Sequence, residues 1–362
     1  MKTRTLKLLV AALSGSLLFA SCQKEDDPVV VTPETPADGL FVLNEGAFFA
    51  NNTTLTYYDA TTKTATTDFY RNKNGHGLGD TGNDFIKYGT KFYFVVNVSS
   101  YVQVTNSEGV DVKKIDFVDG GGAKRQPRYI VPYKNKVLVS AYDGTVAVID
   151  TASLTIDKFI TVGSNPEQMV IAGDKLFVAN SGGLNPFGTP KDSTVSVVDL
   201  ASYTETYKIK VTQNPRFLAA DNSGNIYVGS SGNYDDIKGR LTKINAFTNA
   251  ILGSAEIATD KMQFSNGQLH TIVYDPLTFN ATVKLIDPAT LTQTGSFITD
   301  ATAIQSPNGI TVDNTNGDVY ITDAKGYTTS GEVFCFDKTG KKKFSFSTTP
   351  GLNPNKVVII RK

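Results

Sequence analysis

The chain has 362 residues, of which 40% are hydrophobic, and its 35 Lys+Arg balance its 35 Asp+Glu to a formal net charge of zero. With two His, two Cys and no basic excess, the composition argues against a nucleic-acid-binding protein, a zinc protein and a fold stapled by disulfides. The apolar content is ample for a large core. The length does not set the number of domains, because all-β folds can run this long around one axis.

Residues 1–21 are predicted to be a signal peptide. Lys2, Arg4 and Lys7 precede a largely apolar run, and small residues lead up to Cys22. The apolar run is too short to span a bilayer comfortably. A Cys directly after such a segment is the residue that bacterial lipoproteins carry as their lipidated N-terminus, so Cys22 is the predicted lipidation site. A plain secretory signal with an incidental Cys is the alternative.

Residues 22–38 are predicted to be a flexible tether that follows the lipidated Cys. The polar, acidic residues 23–27 resemble the export tags of surface-exposed lipoproteins, and a solvated linker is the alternative. The next stretch, residues 28–38, contains three Pro and no apolar periodicity, which favours an extended chain without a core.

From residue 39 onwards one pattern recurs about every 45 residues: a turn, a strand, a Gly/Asn turn, a strongly apolar strand, a loop, a strand ending near Asp, and a last strand. Six copies begin near Gly82, Pro127, Pro166, Pro215, Thr259 and Pro307, and those at Gly82 and Thr259 are weaker matches. A seventh copy is split. Residues 354–360 supply its first strand, and residues 39–44 supply the strand that follows it.

Four short alternating strands per copy at this period are typical of a β-propeller. A repeat divided between the two ends of the chain closes the ring, because one sheet is then completed by both termini and no blade edge stays unpaired. The sequence therefore predicts an all-β fold, namely one seven-bladed β-propeller over residues 39–362, with blade 1 closed by both termini.

The mouth of the central channel is the first place to look for a ligand site, because the first strand of each blade lines the channel of a propeller. Aligning the copies places polar side chains at one equivalent position there: Asn83, Arg128, Glu167, Arg216, Asp260 or Lys261, Asn308 and Asn355. A hydrated channel needs a polar lining in any case, which is the structural alternative. Equivalent positions nevertheless carry different residue types, such as Arg128 and Glu167, and this difference favours a shaped binding site.

Long loops between the second and third strands of a blade are predicted to reach the same face. Candidate ligand contacts in or beside them are Phe48, Phe49, Tyr142, Asn180, Phe187, Tyr234, Tyr274, Asp323 and Tyr327. An aromatic and amide-rich rim suits a bulky, mostly neutral ligand with many hydrogen-bonding groups. Packing over the first blade is an equally good account of Phe48 and Phe49.

No enzyme, metal site or cofactor is predicted. Only His76 and His270 are available, and His270 lies in an apolar run, which argues against a Ser/His/Asp constellation. The Gly-rich segment 71–83, which contains His76, is predicted to be a loop between blades. Segments 221–225 and 313–318 contain Asp, Asn and Gly between a first and a second strand. Both segments therefore indicate tight hairpin turns rather than calcium-binding loops.

Two sets of motifs carry a family resemblance. The recurring Pro-x-x-x-Val and Phe-Val-Ala-Asn patterns resemble YncE-type seven-bladed propellers. The segments FVLNEG (residues 41–46) and LTYYD (residues 55–59), with matches through residues 78–97, resemble Bacteroidetes surface lipoproteins of the DUF5074 type. The resemblance covers essentially all of residues 39–362, but its motifs belong to strands and turns.

The relatives implied by this resemblance include the BtuG-type lipoproteins, which capture cobalamin at the cell surface and pass it to a TonB-dependent outer-membrane transporter. The resemblance therefore implies a lipid-anchored, surface-exposed outer-membrane protein that binds a corrinoid as ligand and has such a transporter as partner, with no role for nucleic acid. The alternative is a protein- or glycan-interaction propeller that uses Phe48, Phe49, Phe187 and Tyr234. A lactonase- or lyase-type enzyme is the third possibility.

Overall fold

Seven antiparallel sheets of four strands each make up the computed structural model, which describes residues 37–186, 188–275, 278 and 280–361. The innermost strand of each sheet contacts the innermost strands of its two neighbours, so the sheets form a closed ring. The prediction of a seven-bladed β-propeller is confirmed. Residues 1–36 lie outside the described residues, so the signal peptide, the lipidation of Cys22 and the tether stay predictions.

The strands of blades 1 to 4 lie in chain order as follows: β1 (Gly39–Asn44), β2 (Thr54–Asp59), β3 (Thr64–Thr66), β4 (Gly82–Tyr88), β5 (Lys91–Val96), β6 (Tyr101–Asn106), β7 (Asp111–Asp116), β8 (Pro127–Tyr133), β9 (Lys136–Ala141), β10 (Thr145–Asp150), β11 (Ile156–Thr161), β12 (Pro166–Ala172), β13 (Lys175–Asn180), β14 (Thr194–Asp199) and β15 (Thr204–Lys210). Blade 2 is β4 to β7, blade 3 is β8 to β11, and blade 4 is β12 to β15.

The remaining strands are β16 (Pro215–Ala220), β17 (Asn225–Ser230), β18 (Arg240–Asn245), β19 (Ile251–Ala255), β20 (Thr259–Ser265), β21 (Gln268–Tyr274), β22 (Ala281–Asp287), β23 (Thr292–Ser296), β24 (Pro307–Val312), β25 (Val319–Asp323), β26 (Ser330–Phe336), β27 (Lys342–Leu352) and β28 (Pro354–Ile360). Blade 5 is β16 to β19, blade 6 is β20 to β23, and blade 7 is β24 to β27. Helix α1 (Phe69–Asn74) and a short 3₁₀ turn (Lys325–Tyr327) complete the described elements.

Blade 1 is closed by both ends of the chain, as the split repeat predicted. Its strand order is β28-β1-β2-β3, with the C-terminal strand innermost. The antiparallel register pairs Gly39 with Ile360 and Leu43 with Lys356. The last strand thus fills the place that a first strand fills in every other blade.

The strands are apolar on both faces because each blade is covered by a neighbour on each side. In β10, Ala147 and Ile149 belong to the core shared with blade 2, whereas Val146 and Val148 belong to the core shared with blade 4. Successive side chains of a strand point to opposite faces, so one apolar run supplies two cores. This arrangement explains the strongly apolar strand in each repeat.

Two local predictions had different outcomes. The Asp-rich segments 221–225 and 313–318 are hairpin turns, as predicted, in which Asp221 accepts hydrogen bonds from the backbone N–H groups of Ser223 and Asn225. The prediction that residues 71–83 form only a loop was wrong, since α1 reaches into this segment. Six residues are too few to show a helical period. The helix is held by Tyr70, which is buried and donates to Asp111 at 2.7 Å.

Within the part of the chain that the structure describes, no helix is both long and apolar enough to cross a membrane.

Candidate functional site

The seven innermost strands, β4, β8, β12, β16, β20, β24 and β28, all begin on the same face of the ring, here called the upper face. Because strands alternate in direction within a blade, the loops between second and third strands reach this face too. The second residue of each innermost strand is Asn83, Arg128, Glu167, Arg216, Asp260, Asn308 and Asn355. This is the set that the repeat alignment predicted to be equivalent.

A β-bulge places these seven residues outside the regular ladder of their strands. In every innermost strand the pairing register with the second strand shifts next to this position. A bulge leaves the extra residue outside the ladder and re-aims its side chain. Charge alternates over four adjacent blades, from Arg128 through Glu167 and Arg216 to Asp260, and amides occupy the other three positions.

The amides of this ring tie neighbouring blades together. The Nδ2 atom of Asn355 donates to the carbonyl oxygens of Gly82 at 3.0 Å and Asn83 at 3.1 Å, and that of Asn308 donates to Pro354 at 3.1 Å. Asn83 donates in the same way to the carbonyl of Arg128. Each of these donors is used between blades, which favours the structural interpretation for all three amides.

Arg128 and Glu167 form a buried ion pair. The Nε atom of Arg128 lies 2.9 Å from Oε2 of Glu167, and their side chains are 12% and 3% exposed. The Tyr142 hydroxyl donates to Oε1 of Glu167 at 2.7 Å, and the guanidinium lies 4.6 Å from the centre of the Tyr142 ring. Burial opposes the charge of Arg128, but Glu167 raises the pKa of the guanidinium above its ordinary value. Burial, followed by the charge of Glu167, raises the pKa of Tyr142.

Arg216 differs from Arg128 in its surroundings. Among the described residues its guanidinium has no hydrogen-bond or ion-pair partner, and it lies 5.0 Å from the ring of Phe217. Burial opposes its charge, while the carboxylates of Glu167 and Asp260 raise its pKa from a distance. An arginine presents five N–H donors in a planar fork. Those of Arg216 are free for a ligand.

A cavity of about 610 Å³, here called the upper cavity, opens beside Arg216. Its lining combines residues from blades 3, 4 and 5: Tyr142, Glu167, Gly183, Leu184, Gly188, Thr189, Pro190, Lys191, Gln213, Asn214, Arg216, Asn233, Tyr234 and Asp235. Tyr142, Glu167, Arg216 and Tyr234 are predicted site residues, so the structure brings four of them together. Tyr234 is 66% exposed and its hydroxyl accepts from Asn214 at 3.1 Å.

A second cavity of about 500 Å³ lies in the central channel, where Asn83 and Asn355 are part of its lining. Lys261 also lines it and donates to the carbonyl of Asn355 at 3.3 Å. Burial lowers the pKa of Lys261, and burial raises that of Glu45, the two side chains being coupled by their opposite charges. Sequence analysis missed Glu45. It is the first residue after β1, at the point where that strand reaches the upper face.

Two predicted residues have structural roles instead. Asn180 is fully buried and donates to the hydroxyls of Thr194 at 3.0 Å and Ser196 at 2.8 Å within its own blade. Asp323 is 3% exposed and accepts from the backbone N–H groups of three residues in the adjoining loops, Gln305, Ser306 and Lys325. Neither side chain lines the upper cavity.

The remaining aromatic candidates lie at the rim. Phe48 and Phe49 are 65% and 75% exposed, with ring centres 4.2 Å apart, so they do not pack over the first blade. Asp80 holds their loop by accepting from the backbone N–H of Phe49 at 3.1 Å. Tyr327 is exposed, and desolvation of its hydroxyl, with the carboxylates of Asp260 and Glu45, raises its pKa. Tyr274 ends β21 and is half-buried, and Phe187 lies outside the described residues.

The two His and the described Cys lie away from the upper cavity. His76 contacts Asp111 at 3.0 Å, and His270 is buried, which lowers its pKa to about 4. The thiol of Cys335 is buried, which raises its pKa to about 12. Over the described residues, no three His, Cys, Asp or Glu side chains are grouped to hold a metal ion.

Comparison with known proteins gives a family and a fold. A family described as "Domain of unknown function (DUF5074)" matches residues 38–350. No curated protein matches the sequence. A solved structure of a quinonprotein alcohol dehydrogenase-like protein from Bacteroides thetaiotaomicron is similar, with a TM-score of 0.64 and 15% identity over 89% of this chain and 78% of that one. Hydrazine synthase from Kuenenia stuttgartiensis has a TM-score of 0.57 and 14% identity over 69% and 74% of the two chains. At such identities the similarity concerns the fold.

Proposed function

We propose that this chain, which belongs to the DUF5074 family, is a propeller that binds a bulky polar ligand at its upper face and is not an enzyme. The observation that carries the proposal is the convergence of Tyr142, Glu167, Arg216 and Tyr234, from three consecutive blades, on one cavity of about 610 Å³. Sites for small molecules have volumes of roughly 300–1,000 Å³ and combine apolar walls with a few placed polar groups.

Absence of catalysis is part of the proposal. General acid–base or nucleophilic chemistry needs a reactive group with a base beside it. His76 is engaged with Asp111, and His270 and Cys335 are buried in the sheets. The groups gathered at the upper cavity are hydrogen-bond donors, acceptors and aromatic rings, which are suited to holding a ligand.

The ligand we propose is a corrinoid such as cobalamin. The support is the resemblance to cobalamin-capturing lipoproteins together with the character of the upper face. Alternating charge on Arg128, Glu167, Arg216 and Asp260 suits a large molecule that carries both donors and acceptors, as the amide groups of a corrin do. Tyr234 and Tyr327 at the rim offer exposed aromatic area to its bulk. In the same proposal Cys22 anchors the chain in the outer membrane, with the propeller at the cell surface, where a TonB-dependent transporter receives the ligand.

Calorimetric titration with cyanocobalamin tests this proposal. Protein without residues 1–22 keeps every described strand, and one ligand is expected to bind per chain. Tyr234→Ala is expected to weaken binding about tenfold, because an exposed ring loses its contact area. Tyr207→Ala is the matched control, since Tyr207 is also exposed but lies on β15, the outer strand of blade 4. No heat and no retained colour at high ligand concentration would rule out the corrinoid.

A surface-interaction propeller is the second candidate function, and the exposed Phe48–Phe49 pair favours it. Two adjacent aromatic rings on a loop whose backbone is fixed by Asp80 are typical of a contact surface. In that case a glycan array would give binding that the Phe48→Ala/Phe49→Ala double variant loses and Tyr234→Ala keeps. An empty array would count against this candidate.

A further inference from the structure

We infer that the ligand of the upper cavity carries a carboxylate or phosphate oxyanion that binds Arg216, with an apolar or aromatic part of the ligand against Tyr234 and Leu184. The inference rests on the proposed function, because it takes the upper cavity as the binding site. It does not depend on the ligand being a corrinoid.

The two arginines of the ring differ in how their charge is used. The Arg128 guanidinium is held by Glu167 at 2.9 Å and covered by the Tyr142 ring. Arg216 occupies the equivalent position of blade 5 without any such partner among the described residues, and it lines the cavity. A cation withdrawn from water is costly unless it is paired. A planar carboxylate or a phosphate matches the guanidinium fork, since each accepts two parallel hydrogen bonds from it.

The charge of the other lining residues also favours an anion. The ammonium group of Lys191 donates to the backbone carbonyls of Gly183 and Asn185 and has no carboxylate within ion-pair distance in the described chain. Both oxygens of Glu167 are already engaged by Arg128 and Tyr142. The remaining carboxylate of the lining, Asp235, is exposed at the rim, where water screens its charge. Arg216 and Lys191 are therefore the two cations of the lining without a carboxylate at ion-pair distance in the described chain, and Glu167 and Asp260 act on Arg216 only from further away.

The walls supply the rest of a binding site. Leu184 is 58% exposed and Tyr234 is 66% exposed, and both line the cavity, so its lining offers exposed apolar area that a ligand would cover. Asn214 also lines the cavity, and its Oδ1 atom is buried without a hydrogen-bond partner in the described residues. A ligand with an oxyanion at one end and an apolar body at the other satisfies this lining.

Three small probes of similar shape test the inference: sodium benzoate, phenyl phosphate and benzamide. The protein is labelled with ¹³C in its Leu methyl groups, and the shifts of the Leu184 methyl signals are followed during each titration. Benzoate or phenyl phosphate is expected to bind saturably with a dissociation constant on the order of 1 mM. Benzamide has the same ring without the charge and is expected to bind at least about tenfold more weakly. The tighter of the two anions identifies the oxyanion as carboxylate or phosphate.

Arg216→Met is expected to weaken binding of the anion at least about tenfold, and Arg240→Met is its matched control. Arg240 belongs to the same blade and donates to Ser254 rather than to the cavity. Equal binding of benzamide and benzoate, or unchanged benzoate binding in Arg216→Met, overturns the inference. If Arg216→Met does not fold, Arg216→Lys and Lys191→Met replace it. Each variant is expected to weaken binding of the anion and to leave binding of benzamide unchanged. Unchanged anion binding in both variants overturns the inference.

Failure here is distinguishable from failure of the proposed corrinoid. Anion binding that depends on Arg216 without any response to cyanocobalamin would keep the inference and remove the corrinoid. Cyanocobalamin binding that depends on Tyr234 but is unchanged in Arg216→Met, with no binding of the anions, would keep the corrinoid and overturn the inference.

Discussion

Replacing Glu167 by Gln is expected to destabilise the propeller by about 3 kcal/mol, because breaking a buried ion pair leaves an uncompensated charge in the protein. Glu167 and Arg128 are 3% and 12% exposed, so little water reaches the guanidinium when its partner is neutralised. The amide also loses the charge that strengthens the hydrogen bond from Tyr142. Urea unfolding measures the free energy of unfolding from the midpoint and slope.

Glu332→Gln is the matched control. Glu332 lies 2.7 Å from Lys325, but the two side chains are 23% and 36% exposed, so losing this pair is expected to cost about 0.5 kcal/mol. Arg128→Met added to Glu167→Gln removes the stranded cation, and the double variant is expected to be more stable than Glu167→Gln alone. A loss in Glu167→Gln no larger than that in Glu332→Gln would refute the argument that this pair is buried and strongly coupled.

Two further predictions concern pH and a loop. Burial lowers the pKa of His270 to about 4. As the pH falls below about 6.5, the unfolded chain therefore binds a proton on this residue that the folded chain does not bind. The free energy of unfolding is expected to fall by about 3 kcal/mol between about pH 6.5 and pH 4 for this reason. In urea unfolding at pH 7 and pH 4, His270→Asn is expected to lose this part of the pH dependence of the free energy of unfolding. The same pH dependence in the variant and in the unchanged protein would contradict the prediction. A Cβ at Gly232 would lie 1.9 Å from the carbonyl oxygen of Ile237, whereas one at Gly267 meets nothing within 4 Å, and both residues have a φ in the left-handed region. Gly267→Ala is expected to cost about 1 kcal/mol and Gly232→Ala at least twice as much in thermal unfolding, with weaker binding through the loop that carries Tyr234. Equal losses would show that crowding at Gly232 is relieved by a small shift.

The repeat was enough to predict the blade number and the ring closure, because each blade needs the same order of turn, apolar strand and hairpin. It also located the mouth positions, since Pro or a substitute precedes the bulge in each innermost strand. The roles of those positions were not predictable. Asn355 and Arg216 hold equivalent places in the alignment, yet one ties two blades and the other faces a cavity. That difference depends on neighbours far away in the chain.

Two other residues show why the site was only partly predictable. Asn180 looked like a rim residue because it ends an apolar strand before a long loop, but its amide is used inside the blade. Glu45 was not singled out from the sequence, although it lies close enough to Lys261 for their charges to be coupled. The repeat pattern of one sequence does not predict which residues of a loop lie against the channel.

Closure of the ring by a blade that combines β28 with β1 to β3 makes completion of the propeller depend on β28. β28 contacts both β24 and β4 and pairs with β1 along its length. A chain that ends before Pro354 would keep the strands of blades 2 to 7 but lose the innermost strand of blade 1, which lies between blades 7 and 2. It would also lose Asn355 and Lys356 from the channel wall. The proposed binding face therefore depends on β28 as well, because a molecule clipped before Pro354 keeps β16 with Arg216 and the loop with Tyr234 but not the closed ring around them.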